Sequence, residues 1–292
     1  MVILLSSVCT SFLAGRALFP LRKFSDHMEK IQIQNLSEPL EIPHTEDEVA
    51  RLTRSFNAML ERLGHGLTVQ RQFSANAAHE LRTPLAVMQT RLELLQKQKN
   101  PIPAEYKEAL QMTLEQTERL SHLVEALLEL TELETVQLSD HVSLSALVEE
   151  VLCDLTQVAE EQNITLIQEP GEATLTGSDL FLYRAIYNLV ENAIKYNRPN
   201  GSVTVSIHSE AGWGILRISD TGIGIDKANW TSIFDPFVCV DKSRSRAMGG
   251  AGLGLALVRD IAKQHRGSVQ VTQSSPYGTE ILLKLPISNF SK

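Results

Sequence analysis

The sequence predicts a multi-domain chain. An apolar N-terminal membrane helix leads into heptad-patterned helices, then into an antiparallel helical hairpin that dimerises as a four-helix bundle, and finally into an α/β sandwich. Three observations carry this. Residues 1–19 contain no charged side chain before Arg16, long apolar stripes at helical spacing run from Val49 to Leu130, and from about His141 β-branched alternation appears between helical stretches. A chain of 292 residues is long enough for two or three such modules.

The start, "MVILLSSVCTSFLAGRALFP", holds small polar residues that a membrane helix tolerates. Its apolar run falls slightly short of the usual ~20 residues, so Arg16 would snorkel. A signal peptide and a buried N-terminal helix are the alternatives. The first has no basic residue ahead of the apolar run and no clean small-residue cleavage site. Arg16, Arg22 and Lys23 follow the run and orient the remainder toward the cytoplasm.

Leu21, Phe24, Met28 and Ile31, then Val49, Leu52, Phe56, Met59 and Leu63 after "NLSEPLEIPHTEDE", step by three and four. Two heptad-like segments joined by a polar, proline-containing connector predict a parallel bundle completed by a second copy, with an intramolecular hairpin as the alternative. The next helix carries Leu81, Leu85, Met88, Leu92 and Leu95 on one stripe and places His79 roughly opposite it. Pro84 deprives the Glu80 carbonyl of its helical donor, a cost of about 3 kcal/mol in a helix interior. An exposed imidazole beside a predicted bend is a candidate reactive group. "KNPIP" ends this helix near Lys99, and a second periodicity runs through Leu110, Leu114, Thr117, Leu120, Val124, Leu127 and Leu130. A lone hairpin cannot bury both faces, so a homodimer is expected.

Beyond His141, "NITLIQ", "GSVTVSIHS", "GWGILRISD", "GSVQVTQS" and "TEILLKLP" read as strands, and 143–163, 178–196 and 251–265 as helices. A net charge of −8 and a pI near 5.5 give no support to nucleic-acid binding. Cys9, Cys153 and Cys239 match no metal or disulfide spacing and read as small buried apolar groups.

Three clusters converge on a nucleotide. In "NLVENAIKYN", Asn188, Asn192 and Lys195 share a helix face, offering amide oxygens to Mg²⁺ and an ammonium to phosphate. In "SDTGIGID", Asp220 ends a strand as an acceptor for an adenine amino group, and Gly222 and Gly224 clear space beneath the ring. In "GGAGLGLALV", Gly249, Gly250, Gly252, Leu253 and Gly254 lead into a helix whose free N–H groups suit phosphate oxygens. The alternative for this last stretch is a flexible loop with a glycine N-cap.

Together these segments resemble a bacterial two-component sensor histidine kinase. "HELRTPL" matches the phosphoacceptor box, "NLVENAIKY" the asparagine box, "DTGIGI" and "GGAGLGLAL" the glycine boxes, and "FDPF" the phenylalanine box; the connector between the first helices resembles a HAMP linker. The resemblance implies a membrane helix at 1–19 corresponding to the second of the family's usual two, a HAMP-like linker at 20–68, a dimerisation and phosphotransfer domain at 69–137, and a GHKL-type ATP-binding domain at 141–289. It implies phosphorylation of His79 from Mg-ATP; Glu80, adjacent in sequence with a side chain long enough to reach the ring's other nitrogen, is assigned to orient the ring and accept or share its proton. Asn188 and Asn192 would hold Mg²⁺, Lys195 and Tyr196 would approach phosphate and sugar, and Asp220 would read adenine. Lys242, Arg244 and Arg246 would belong to a mobile lid over ATP. The implied partners are a second copy, a response-regulator receiver domain and membrane lipid, at the bacterial inner membrane with the catalytic part in the cytoplasm.

Val238 and Cys239 depart from the aromatic and arginine that close relatives usually place after "FDPF". Thr83, one turn beyond His79, either bonds back to the preceding turn or aligns water for phosphatase action, the role implied by "HELRT". A chaperone-like or DNA-processing ATPase and a non-catalytic signalling adaptor are the competing classes. The first gives no reason for "HELRTP" on a hairpin, and the second none for intact nucleotide boxes.

Overall fold

The computed structural model describes residues 39–42, 48–98, 102–133, 136–240 and 251–287. The apolar N-terminal segment, the first heptad-patterned helix, and the site candidates Lys242, Arg244, Arg246, Gly249 and Gly250 lie outside these residues. Among the described residues no helix is long and apolar enough to cross a membrane. The chain forms two compact units, residues 1–77 and 78–292.

The first unit contains the connector residues 39–42 and the beginning of helix α1 (Glu48–Lys97). Asn57 brackets Leu40: its Oδ1 accepts the Leu40 N–H at 2.9 Å and its Nδ2 donates to the Leu40 carbonyl at 2.9 Å. One side-chain amide thus satisfies both backbone groups of a buried connector residue, as a neighbouring strand would. Leu52, Met59 and Leu63 stay exposed, the apolar stripe that a second copy would cover.

Helix α1 runs without interruption for 50 residues through Pro84, with Glu48 in its first turn and Lys97 in its last, each complementing the helix dipole. It ends two residues short of the predicted Lys99. Helix α2 (Pro103–Glu132) opens on proline, which gives up no needed donor there, and Glu105 caps the Ile102 N–H at 2.9 Å. Arg91 pairs with Glu108 at 2.6 Å across this hairpin. Leu85, Leu92, Leu110, Leu114 and Val124 remain exposed, Leu110 at 69%, on the stripes predicted to meet another hairpin.

The α/β sandwich comprises β1 (Asp140–Ser143), α3 (Leu144–Glu161), β2 (Thr165–Gln168), β3 (Thr174–Gly177), α4 (Asp179–Lys195), β4 (Ser202–Glu210), β5 (Trp213–Asp220), α5 (Gly254–Gln264), β6 (Ser268–Ser275) and β7 (Gly278–Pro286). Ser143 and Ser178 cap α3 and α4 through their hydroxyls. The main sheet has the order β2-β4-β5-β7-β6, with β2 parallel to β4 and the other pairs antiparallel. Along β7 burial alternates strictly, so one face, carrying Leu283 and Leu285, meets the apolar stripes of the helices while the other meets solvent.

Two features differ from the sequence expectation. β1 and β3 pair as a separate two-stranded sheet that was not predicted, because "DHVS" and "TLTG" are too short and polar to show a period. Cys153 is exposed and Cys239 half-buried, correcting the reading of both as buried apolar groups: Cys153 falls on the outward face of α3, where helical phase outweighs residue type.

His265, at the end of α5, is buried and stands beneath α4. Its Nε2 accepts the Ser178 N–H at 3.0 Å and its Nδ1 lies 2.8 Å from the Ile261 carbonyl, a pattern that only the neutral ring satisfies at both nitrogens. Burial pushes its pKa down, opposed by the Ile261 bond. The unfolded chain therefore binds the extra proton more readily. The stabilisation is complete above pH about 6.5 and is lost as pH falls toward the lower folded-state pKa. Urea midpoints should fall between pH 7 and 5.5, and His265→Gln should remove part of that slope; identical slopes would refute the role.

Candidate functional site

His79 is exposed on α1 and Glu80 is half-buried. The Glu80 carboxylate reaches Arg119 of α2, Oε2 to Nη2 3.7 Å, with the Glu80 and Arg119 side chains only 24% and 17% exposed. The Thr83 hydroxyl donates to the His79 carbonyl at 3.1 Å, the back-bonding geometry that was one of its two expected roles. A hydroxyl donating in this way keeps its lone pairs for a water.

The nucleotide cluster is assembled by α4, the end of β5 and the start of α5. Asn188 Nδ2 donates to the Arg184 carbonyl and Asn192 Nδ2 to the Asn188 carbonyl, both at 2.8 Å. These bonds fix the amide planes and leave the two Oδ1 atoms as the available oxygens, one turn apart. A Cβ on Gly254 would stand 2.4 Å from Asn188 Oδ1, so only glycine lets the α5 N-terminus approach this oxygen. Leu253 ahead of it is buried, and Gly252 holds φ +72°.

Asp220 reaches the site because β5 ends on it. Its Oδ1 accepts the N–H of Gly222 at 2.7 Å and of Thr279 at 3.2 Å. The other oxygen, Oδ2, has no hydrogen-bond partner among the described residues and can accept from an exocyclic amino group. Burial raises the Asp220 pKa, and the two N–H donors pull it back. A Cβ on Gly222 would come within 2.3 Å of the Tyr196 carbonyl, which keeps this loop seated on the end of α4; Gly224, at φ +77°, packs on Ser275. Lys195 is half-buried 5.9 Å from the Tyr196 ring centre. Burial lowers its pKa foremost, Glu191 and Cys239 raise it, and the Arg119 charge lowers it further.

These residues fit Mg²⁺ and ATP: two oriented amide oxygens, a cation, a free carboxylate oxygen and a glycine-lined helix start. When bound, the metal screens phosphate charge.

Several contributors were missed by the sequence reading. Thr279 arrives beside Asp220 because β5 and β7 pair antiparallel, placing Ser219 opposite Glu280; the Gly–Thr step opening the last strand was the available signal. Buried Asn197 accepts from the Thr221 hydroxyl at 3.0 Å and donates to the Ser202 carbonyl at 3.0 Å, tying α4 to β4 and to the turn after Asp220. Glu129 of α2 pairs with Arg184 of α4 at 3.1 Å, one turn before Asn188, and Gln264 donates to the Leu133 carbonyl at 3.0 Å.

Comparison with known proteins gives three family matches: the HAMP domain over residues 12–65, the His Kinase A (phospho-acceptor) domain over 69–136, and the histidine kinase-, DNA gyrase B-, and HSP90-like ATPase over 177–289. The sensor protein IrlS of Burkholderia pseudomallei is 29% identical over 98% of this chain and 62% of its own length. The signal transduction histidine-protein kinase ArlS of Staphylococcus aureus is 33% identical over 89% of this chain and 58% of its own. The chain thus spans about three-fifths of the length of these relatives. Among solved structures, the Acinetobacter baumannii histidine kinase AdeS matches with a TM-score of 0.56 and 27% identity, over 72% of this chain and 98% of its own.

Proposed function

The chain belongs to the two-component sensor histidine kinases, and from that premise we propose that it phosphorylates its own His79 from Mg-ATP and passes the phosphoryl group to an aspartate of a response-regulator receiver domain. One observation carries this reading. A single compact unit combines an exposed histidine on a helical hairpin with two oriented asparagine oxygens and a half-buried carboxylate suited to adenine. A plain ATPase has no use for the first, and an adaptor none for the second and third.

The neutral imidazole attacks the γ-phosphorus in line, with reacting atoms about 3 to 3.5 Å apart. An N–P bond forms as the bond to the β,γ-bridging oxygen breaks, ADP departs, and the imidazole proton passes to Glu80. The receiver's aspartate oxygen then attacks the phosphorus, the N–P bond breaks with its electron pair returning to the ring, and Glu80 gives back the proton to restore neutral His79. Asn188 and Asn192 would hold Mg²⁺, Lys195 and Tyr196 face phosphate and sugar, and Asp220 accepts from the adenine amino group. The exposed leucines of both hairpin helices support a homodimer. The HAMP match and the apolar start support anchoring in a bacterial inner membrane. Lys242, Arg244 and Arg246 would offer positive charge, and Gly249 and Gly250 backbone N–H groups, to the triphosphate.

Incubation with γ-labelled ATP and Mg²⁺ tests the reading. Acid-labile, base-stable label on the protein is expected; ATP hydrolysis without labelled protein would favour a plain ATPase, and neither would favour an adaptor.

Thr83 is proposed to support phosphatase action by aligning water against the phosphorylated receiver. Thr83→Ala should leave His79 labelling within about twofold, since only one exposed hydrogen bond is lost. It should slow decay of purified phospho-receiver with ADP present by tenfold or more, on the order of one positioning contact. Equal decay rates would refute the role, and equal loss of both activities would indicate helix damage.

A further inference from the structure

Arg119 has no place in the reaction as described so far, yet it stands across the hairpin from Glu80, the neighbour of His79. It comes from α2, the helix without the phosphoacceptor. Its Nη2 lies 3.7 Å from Glu80 Oε2, joining two side chains that are each at least three-quarters buried. With so little of either side chain in contact with solvent, the attraction between the two charges is screened less than in an exposed pair. The pairing uses one carboxylate oxygen. Glu80 Oε1 has no hydrogen-bond or ion-pair partner among the described residues, and the residue immediately before Glu80 is the exposed His79.

We infer that Arg119 is a positioning residue for the transfer step: by holding Glu80 Oε2 across the hairpin it presents Oε1 for the imidazole proton of His79. This rests on the kinase reading and adds to it the device that places the proton acceptor. The step balances without another reactant. The attacking nitrogen forms its bond to the γ-phosphorus, the bond to the bridging oxygen breaks with its electron pair leaving on ADP, and the proton from the second ring nitrogen goes to Glu80 Oε1. Arg119 gives up no proton and touches no reacting atom. Its charge also contributes, after burial, to lowering the Lys195 pKa.

The full chain is assayed for His79 labelling as Arg119→Ala, Arg119→Lys, Glu80→Gln and the Arg119→Ala, Glu80→Gln double variant, with nucleotide affinity measured in parallel. Arg119→Ala should lower kcat by about tenfold or more, a fraction of the ~10²–10⁴ that general acid–base help supplies, with KM for ATP within about twofold. Arg119→Lys, which keeps the charge, should recover most of the rate. In the Glu80→Gln background the Arg119 change should add almost nothing. Wild-type kcat in Arg119→Ala, independent losses in the double variant, or a raised KM with unchanged kcat would each overturn the inference, the last making Arg119 a phosphate ligand. Loss in Arg119→Lys as deep as in Arg119→Ala would also overturn it, in favour of hairpin damage. Those failures leave wild-type labelling intact. An unlabelled wild-type chain instead defeats the kinase reading and takes this inference with it.

Discussion

A chain carrying His79→Gln should take up no acid-labile phosphoryl group and should still bind nucleotide as the unsubstituted protein does. The reason is geometric. The His79 ring projects from an exposed position, and the bond that Thr83 makes to this residue uses its backbone carbonyl. Glutamine keeps a helix-compatible side chain and removes only the nucleophilic imidazole, so stability should change by no more than about 0.5 kcal/mol. The nucleotide residues, on α4, β5 and α5, lose no partner. Labelling should fall to background, beyond about a thousandfold, as expected when the nucleophile itself is removed. Undiminished label would sink the assignment of His79 as acceptor.

Asn192→Ala should abolish labelling from the other side of the reaction. The amide nitrogen of Asn192 is committed to the Asn188 carbonyl, so its oxygen is the atom available to a metal. Truncation removes that oxygen while the core beneath it, with Val190 and Ile194 buried, stays filled. A loss larger than the roughly 10- to 100-fold typical of an outer-shell partner is expected, with His79 intact. Asn192→Asp should instead keep binding but alter the dependence on Mg²⁺, because it adds charge at the same place. Mixing the Asn192→Ala and His79→Gln chains extends the test: label returning to the His79-bearing chain would put donor and acceptor sites on different copies of the dimer. A full rate in the alanine variant at low Mg²⁺ would remove Asn192 from the metal shell.

What the sequence made legible was what repeats or stays local. The three-and-four spacing of Leu85, Met88 and Leu92 marked a helix, and alternation in "TEILLKLP" marked a strand, because each pattern reports one face of one element. Asn188 and Asn192 could be paired for the same reason, being one turn apart on α4. Contacts set by topology were not legible. Thr279 meets Asp220 across 59 positions only because β5 and β7 pair in a particular register, and Arg119 meets Glu80 only once α2 folds back on α1. His265 illustrates the same limit: nothing local distinguishes a terminal helix histidine from one that caps a remote N–H. Thr83 was ambiguous in kind, since one hydroxyl can serve the backbone and a water together, and its bond to His79 settles only the first use.

The central claim is that the γ-phosphoryl group of ATP held by the α/β domain ends on one imidazole of the hairpin. Site mapping tests it most directly: the full chain is incubated with Mg²⁺ and γ-labelled ATP, digested under alkaline conditions that preserve phosphoramidates, and the labelled peptide identified by mass spectrometry. The account predicts a single phosphohistidine at His79 in the peptide bearing "HELRTPL". Label confined to a serine, a threonine or another histidine, or ATP consumed with no labelled peptide, would contradict it.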